Sequence, residues 1–253
     1  MENIFSSPLE QYLEKHDFEA FCPKVVLFDM DGVLYDSMPH HAVAWQQSMA
    51  TFGITMTAQD AYATEGARGI DTIRMMVRAQ QGRDISEEEA QMMYNEKTRL
   101  FHLMTEATMM PGILSLMEQM HDRGLTIGVV TGSGQRPLIS RLLTDFSKYL
   151  TEDHIVTAYD VTRGKPHPEP YLRGLEKCGG FMPWEGVVVE NAPLGVRAGV
   201  SANIFTIAVN TGPLSDEMLS SEGADMVFTD MPTLSREWHQ MPSSSYSSPS
   251  CGR

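Results

Sequence analysis

The feature that most restricts the fold is an alternation of short apolar runs with amphipathic helical stretches. The apolar runs are Val25–Phe28, Thr126–Val130, a weaker Ile155–Ala158, Val187–Val189, Ile204–Val209 and Met226–Phe228. Each is expected as a strand, and Val25–Phe28, unbroken, mostly β-branched or aromatic and too short for a helix, as one buried on both faces. Between them the apolar residues recur with the helical period. Ile113, Leu116, Met117 and Met120 form one stripe that stops at Gly124, and a helix opened by Pro168 is expected to bury Leu172 and Leu175 and end at Gly179. Strands alternating with helices imply an α/β fold: a Rossmann-like three-layer core with a parallel sheet between helices.

One interval breaks the alternation. From residue 37 to 110 the pattern is helical and offers no strand. Ala42, Trp45, Met49 and Phe52 make one stripe, while Ala90, Met93, Tyr94, Lys97, Leu100, Phe101 and Met104 outline a long helix opened by the capping box "SEEE" at Ser86. This is expected to be an all-helical cap inserted into a core of residues 24–36 and 111–240, with Pro111 and Gly112 as a hinge. Residues 1–23 form an N-terminal extension, in which "SPLE" from Ser7 has the spacing of a helix start. The Ser- and Pro-rich tail, 241–253, is expected to be disordered.

The chain has 253 residues, with 33 acidic against 19 basic side chains and a net charge of −14. Nucleic acid and anionic membrane both need basic surface, so neither is expected as a partner. The cysteines, Cys22, Cys178 and Cys251, lack metal-ligand spacing, and no secretory signal precedes them. They are expected as reduced thiols of a cytoplasmic protein. No apolar run is long enough to span a bilayer. Oligomeric state is not written in the sequence, and a monomer is compatible with it.

Against this acidic background, "VVLFDMDGVLYDS" places Asp29 and Asp31 directly after the first strand. Residues two apart in an extended segment face the same side, and Gly32 lets the chain turn away. Ligand sites of open parallel sheets lie at the carboxyl ends of the strands. Two carboxylates so close repel unless a cation lies between them, and Mg²⁺, with its preference for oxygen and for shared phosphate, suits such a pair. Asp29 as a turn cap would leave Asp31 unexplained. The second strand ends "VVTGSG", where the Thr131 hydroxyl and backbone amides from Gly132 onward can donate to a phosphoryl oxygen. Then "GKPHPEPY" stiffens the origin of the Lys165 side chain with three prolines, and "VVVENAPLG" ends the fourth strand with Glu190 and Asn191.

Four strand ends bearing these residues in this order resemble the haloacid dehalogenase superfamily, in its phosphatase and β-phosphoglucomutase branch with a helical cap. The resemblance runs from about Lys24 to Pro232. It implies that Asp29 is the nucleophile forming an aspartyl-phosphate, and that Asp31 protonates the leaving group and then activates water. It also implies that Thr131 and Lys165 hold the phosphoryl oxygens, while Asp29, the Asp31 carbonyl, Glu190 and Asn191 hold Mg²⁺. His41 matches a cap histidine of the mutase-like relatives; it either contacts Asp31 or packs near Trp45.

Two departures stand out. Asn191 replaces the usual Asp, which removes one negative charge. In "ATEGARG", Glu65 falls where mutase-like relatives carry a substrate-binding Lys. Glu65 is either a metal ligand brought in by the cap or a solvated side chain. With Asn191 it resembles the inorganic pyrophosphatases of the superfamily. Arg68 either contacts a second phosphate or pairs with Glu65. The expected activity is a Mg²⁺-dependent phosphohydrolase acting on pyrophosphate or a small phosphate ester such as a sugar phosphate. The alternatives are a sugar phosphomutase, a dehalogenase, a phosphoacceptor signalling module and a non-catalytic binding protein.

Overall fold

In the computed structural model, residues 3–243, 246 and 247 are described. Six parallel strands form one sheet in the order β3-β2-β1-β4-β5-β6. They are β1 (Val25–Phe28), β2 (Thr126–Val130), β3 (Ile155–Val156), β4 (Gly186–Glu190), β5 (Phe205–Val209) and β6 (Met226–Phe228). Every apolar run read as a strand is one. The weak run at Ile155 is shortened because the Asp160 carboxylate accepts hydrogen bonds from the Thr157 amide and hydroxyl, both at 2.8 Å, and turns the chain.

The β1 side chains divide between two cores. Val26 and Phe28 pack with α6 (Ile113–Asp122), α7 (Arg136–Asp145) and α11 (Met231–Glu237), while Val25 and Leu27 pack with α8 (Glu169–Lys177) and α9 (Pro193–Ser201). This is the expected three-layer arrangement. On α8 the expected stripe is corrected: Leu175 is buried, but Leu172 is 44% exposed. The helix meets the sheet through Tyr171, Gly174 and Leu175, and a Cβ on Gly174 would lie 2.9 Å from Leu27. Close approach at Gly174 rotates Leu172 outward.

Four of the five helices between β1 and β2, α2 (Met38–Thr51), α3 (Ala58–Ala63), α4 (Gly69–Gln81) and α5 (Glu87–His102), form the inserted unit. They enclose their own core, centred on Trp45, Met49, Ile73, Val77 and Met93. The Ser86 box forms by half: the Ser86 hydroxyl accepts the Glu89 amide at 3.1 Å, but the Glu89 carboxylate turns to Arg83. Tyr35 bridges Met109 where the chain enters and leaves this helical cap.

The N-terminal segment is docked. Helix α1 (Ser6–His16) buries Leu9, Tyr12 and Leu13, and Phe5 just before it is also fully buried. The helix begins one residue before Ser7 and has no side-chain cap. Instead, Asn3 fixes the entry by accepting the Phe5 amide at 2.8 Å. The Tyr12 hydroxyl donates to the Asn203 carbonyl at 2.8 Å, just before β5. The expectation of a disordered tail fails at Tyr246, which forms an antiparallel bridge to Phe21. Its hydroxyl also donates to Glu10 at 3.2 Å. Residues 244, 245 and 248–253 of the tail, Cys251 among them, lie outside the described residues.

Candidate active site

The site lies at the carboxyl ends of β1, β2 and β4. The Asp29 amide donates to the Val189 carbonyl at 3.0 Å, continuing the β1–β4 pairing by one residue and fixing the start of the Asp-x-Asp turn. Gly32 then adopts φ +82°, and a Cβ there would fall 2.0 Å from the Asn191 amide nitrogen. Both the backbone conformation and the close approach of Asn191 require glycine. Asp29 and Asp31 are buried, as are Thr131, Lys165, Glu190 and Asn191.

Lys165 is the hub. Its ammonium donates to Asp29 Oδ1 at 2.6 Å, to Glu190 Oε1 at 2.6 Å and to the Val130 carbonyl at 2.9 Å. The Glu190 carboxylate also accepts from the Tyr171 hydroxyl at 2.6 Å and from the Asn191 amide at 3.0 Å. A Cβ on Gly195 would lie 1.8 Å from it, so α9 covers it closely. Glu190, expected as a metal ligand, therefore sits behind Lys165 with its oxygens engaged and holds the lysine in place. Burial would lower the Lys165 pKa, but Asp29 and Glu190 outweigh it and raise it. Burial lifts the Asp29 carboxyl well above the usual carboxylate range despite Lys165, with Glu190 and Asp31 adding to the rise.

Asp31 faces the cap. Its Oδ1 accepts the Ser37 hydroxyl at 2.6 Å and lies 3.1 Å from His41 Nε2, so His41 contacts Asp31. His41 Nδ1 in turn lies 2.6 Å from the Lys97 ammonium. The ammonium can only donate, which assigns the imidazole proton to Nε2, pointing at Asp31. Burial alone would raise the Asp31 carboxyl; His41, Ser37 and Lys97 overcome it and hold the group at about 2. Desolvation lowers Lys97 to about 8, against the pull of Glu65 and Asp31.

Beside the His41 contact a small cavity of about 40 Å³ opens between Asp31 and the cap, with Glu65, His41, Lys97, Tyr94 and Gln135 in its wall. Glu65 is half-buried there, and burial raises its carboxyl, with His41 opposing the rise and Asp31 adding to it. At the end of β2, the Thr131 hydroxyl accepts the Ser133 amide at 3.0 Å, and a Cβ on Gly132 would lie 3.1 Å from the Gly66 carbonyl. The cap loop thus rests on the β2 turn. Arg68 is not brought to this cavity. It pairs with Asp71 rather than Glu65, and its other bond goes to the Thr162 carbonyl.

Among the described residues no group of three or more His, Cys, Asp or Glu is placed to hold a metal ion. The donors are nevertheless the right kind for Mg²⁺. Asn191 Oδ1 is buried without a hydrogen-bond partner beside the Asp-x-Asp turn, and an oxygen-only set completed by substrate phosphate is what this ion accepts.

Residues 26–209 match the model of the haloacid dehalogenase-like hydrolase family. The chain belongs to that family. A protein described as a putative β-phosphoglucomutase from Bacteroides vulgatus superposes with a TM-score of 0.90 and 47% identity, covering 94% of this chain and 97% of its own. Hexitol phosphatase A of Escherichia coli (strain K12) is 34% identical over 74% of this chain and 83% of its own length. Pyrophosphatase PpaX of Oceanobacillus iheyensis is 25% identical over 82% of this chain and 93% of its own.

Sequence reasoning missed Lys97, Tyr94 and Gln135 as parts of the site. Lys97 carried a signal, since it falls within an apolar helical stripe where a solvated charge has no place. Tyr94 and Gln135 carried none, because only the docking of cap on core brings them to Asp31.

Proposed function

We propose that this phosphatase-type enzyme is a Mg²⁺-dependent phosphohydrolase acting through an aspartyl-phosphate at Asp29, on a substrate with a leaving group about the size of phosphate. The cavity above Asp31 carries this reading. At about 40 Å³ it holds roughly three waters, too few to make room for a hexose while the cap is closed. Its wall carries a carboxylate, an ammonium and an imidazole, which suits a compact, highly charged substrate such as pyrophosphate.

The residues that would hold Mg²⁺ are Asp29, the Asp31 carbonyl, Asn191 and, with the cap down, Glu65. Bound there, the ion would neutralise charge on the transferring phosphoryl group and help keep Asp29 ionised. Asp29 attacks phosphorus in line while Lys165 and Thr131 steady the phosphoryl oxygens. An anionic substrate beside Asp31 raises that carboxyl's affinity for a proton, which it then gives to the leaving group. Asp31, oriented by Ser37 and His41, next takes a proton from the water that cleaves the aspartyl-phosphate. Lys97 steadies the departing anion through its own charge and through His41.

A second reading, a sugar phosphomutase, comes from the name of the Bacteroides vulgatus relative. The cavity and the acidic Glu65 weigh against it. Phosphate release with Mg²⁺ from pyrophosphate and from a panel of sugar phosphates, set beside isomerisation of the same sugar phosphates without net phosphate release, separates the two. We expect kcat/KM to favour pyrophosphate, and Glu65→Ala to weaken Mg²⁺ activation. Preference for sugar phosphates, unchanged by Glu65→Ala, would refute the proposal.

A further inference from the structure

Arg68 looks like a substrate ligand in the sequence but occupies a different place in the structure. It precedes α4 at the end of the cap loop that carries Glu65. Asp71, in the first turn of α4, grips its guanidinium from Nε at 2.7 Å and from Nη2 at 3.2 Å. The charge is thereby matched within the cap, and the remaining nitrogen, Nη1, donates across the interface to the Thr162 carbonyl at 3.0 Å. The stem of the side chain lies flat on the core: a Cβ on Gly164 would fall 2.8 Å from Arg68 Cγ and 3.4 Å from Cδ. Gly164 does not have the positive φ that only glycine tolerates well. Its bare backbone is needed for the contact, not for the turn.

The next residue is Lys165. The cap loop also lies on that side chain, since a Cβ on Gly66 would be 3.1 Å from Lys165 Cδ. Arg68 therefore fastens the loop at the rim while Glu65 and Gly66 cover the centre. Beside the fastening runs an open crevice of about 610 Å³, bounded by Arg68 and Met75 on the cap and by Gly164, His167 and Leu194 on the core. The hydrophobic interiors of core and cap are separate clusters.

We propose that Arg68 is a positioning residue: a latch that holds the cap on the core, aimed by Asp71 and seated on Gly164. It keeps Glu65 above Asp31 and Lys165 covered while the reaction proceeds. Its effect on turnover rests on the phosphohydrolase reading, but closure itself needs no substrate to be seen.

The test is a cycle of full-length Arg68→Ala, Gly164→Ala and the double variant, read by amide hydrogen exchange over residues 62–68 without substrate and by steady-state kinetics. Loss of a charged-donor hydrogen bond predicts about tenfold faster exchange of the loop in each single variant. It also predicts KM and kcat each altered less than about twofold, because a mostly closed population changes little when opening becomes about tenfold more frequent. The double variant should be no worse than the singles, since both break one contact. Arg68→Lys, which keeps one donor, should recover part of the protection. Asp71→Asn loosens the latch without adding bulk to the core, so it should speed exchange about threefold even if Gly164→Ala proves unstable. Unchanged exchange in Arg68→Ala, or effects that multiply in the double variant, would overturn the latch. Altered exchange in a chain that hydrolyses no phosphate would keep the latch and remove the phosphohydrolase reading instead.

Discussion

Replacing Lys165 with Met tests the centre of the site by removing one charge while nearly keeping the volume. Three contacts disappear, to Asp29, Glu190 and Val130. Glu190 keeps the Tyr171 hydroxyl and its own loop amides. Asp29 loses its lysine partner and stays buried, with Asp31 and Glu190 nearby. Breaking a buried pair from one side costs about 3–5 kcal/mol. For a chain of this size that lowers Tm by roughly 6–20 °C.

The loss should depend on pH in a definite sense. The Asp29 carboxyl already lies above its unfolded value, and removing the cation raises it further. In that window the folded chain binds more protons than the unfolded one, so stability falls as pH rises. The Tm gap between variant and parent should therefore be widest at pH 8 and narrow towards pH 5, and kcat should fall by at least about 100-fold. Thermal unfolding across that range reads it directly. A variant as stable as the parent at pH 8 would show that Lys165 does not compensate the buried carboxylates.

Two further outcomes follow from the same geometry. Asp29→Asn should abolish turnover while leaving Tm within a few degrees of the parent, as phosphate release and thermal unfolding would read; retained turnover would remove the covalent route. Lys97 sits at about 8, so its charge is lost as pH rises through that value. An activity that needs the ammonium should decline above pH 8, and Lys97→Met should lower kcat about tenfold or more and abolish that alkaline decline in the pH–rate profile.

The strands were legible because a buried parallel strand is written locally, as a short run of consecutive, mostly apolar residues in which β-branched side chains recur. Asp29, Thr131 and Asn191 were legible because each directly follows a strand, Asp31 because it shares a face with Asp29 two residues on, and Lys165 because it lies in a proline-stiffened loop. What could not be read depends on how helices settle. Leu172 faces out because Gly174 lets α8 lie close to the sheet. Glu190 faces inward because α9 closes over it. Arg68 turns to Asp71 because the two are three residues apart at a helix start, a local pairing that outcompetes Glu65. Tyr246 finds Phe21 across more than two hundred residues, a pairing no local pattern records.

The two strands at the margins of the sheet are its shortest, Ile155–Val156 and Met226–Phe228. Exposed strand edges are where one folded chain can add to another through backbone pairing, and such growth needs a long, flat margin. Here a neighbouring chain would find two residues on one side and three on the other, while the four longer strands are enclosed between them. Mutual repulsion at a net charge of −14 works in the same direction. Intermolecular strand addition thus has little to start from in the folded protein, and aggregation on heating should track the opening of the inner strands rather than the concentration of native molecules.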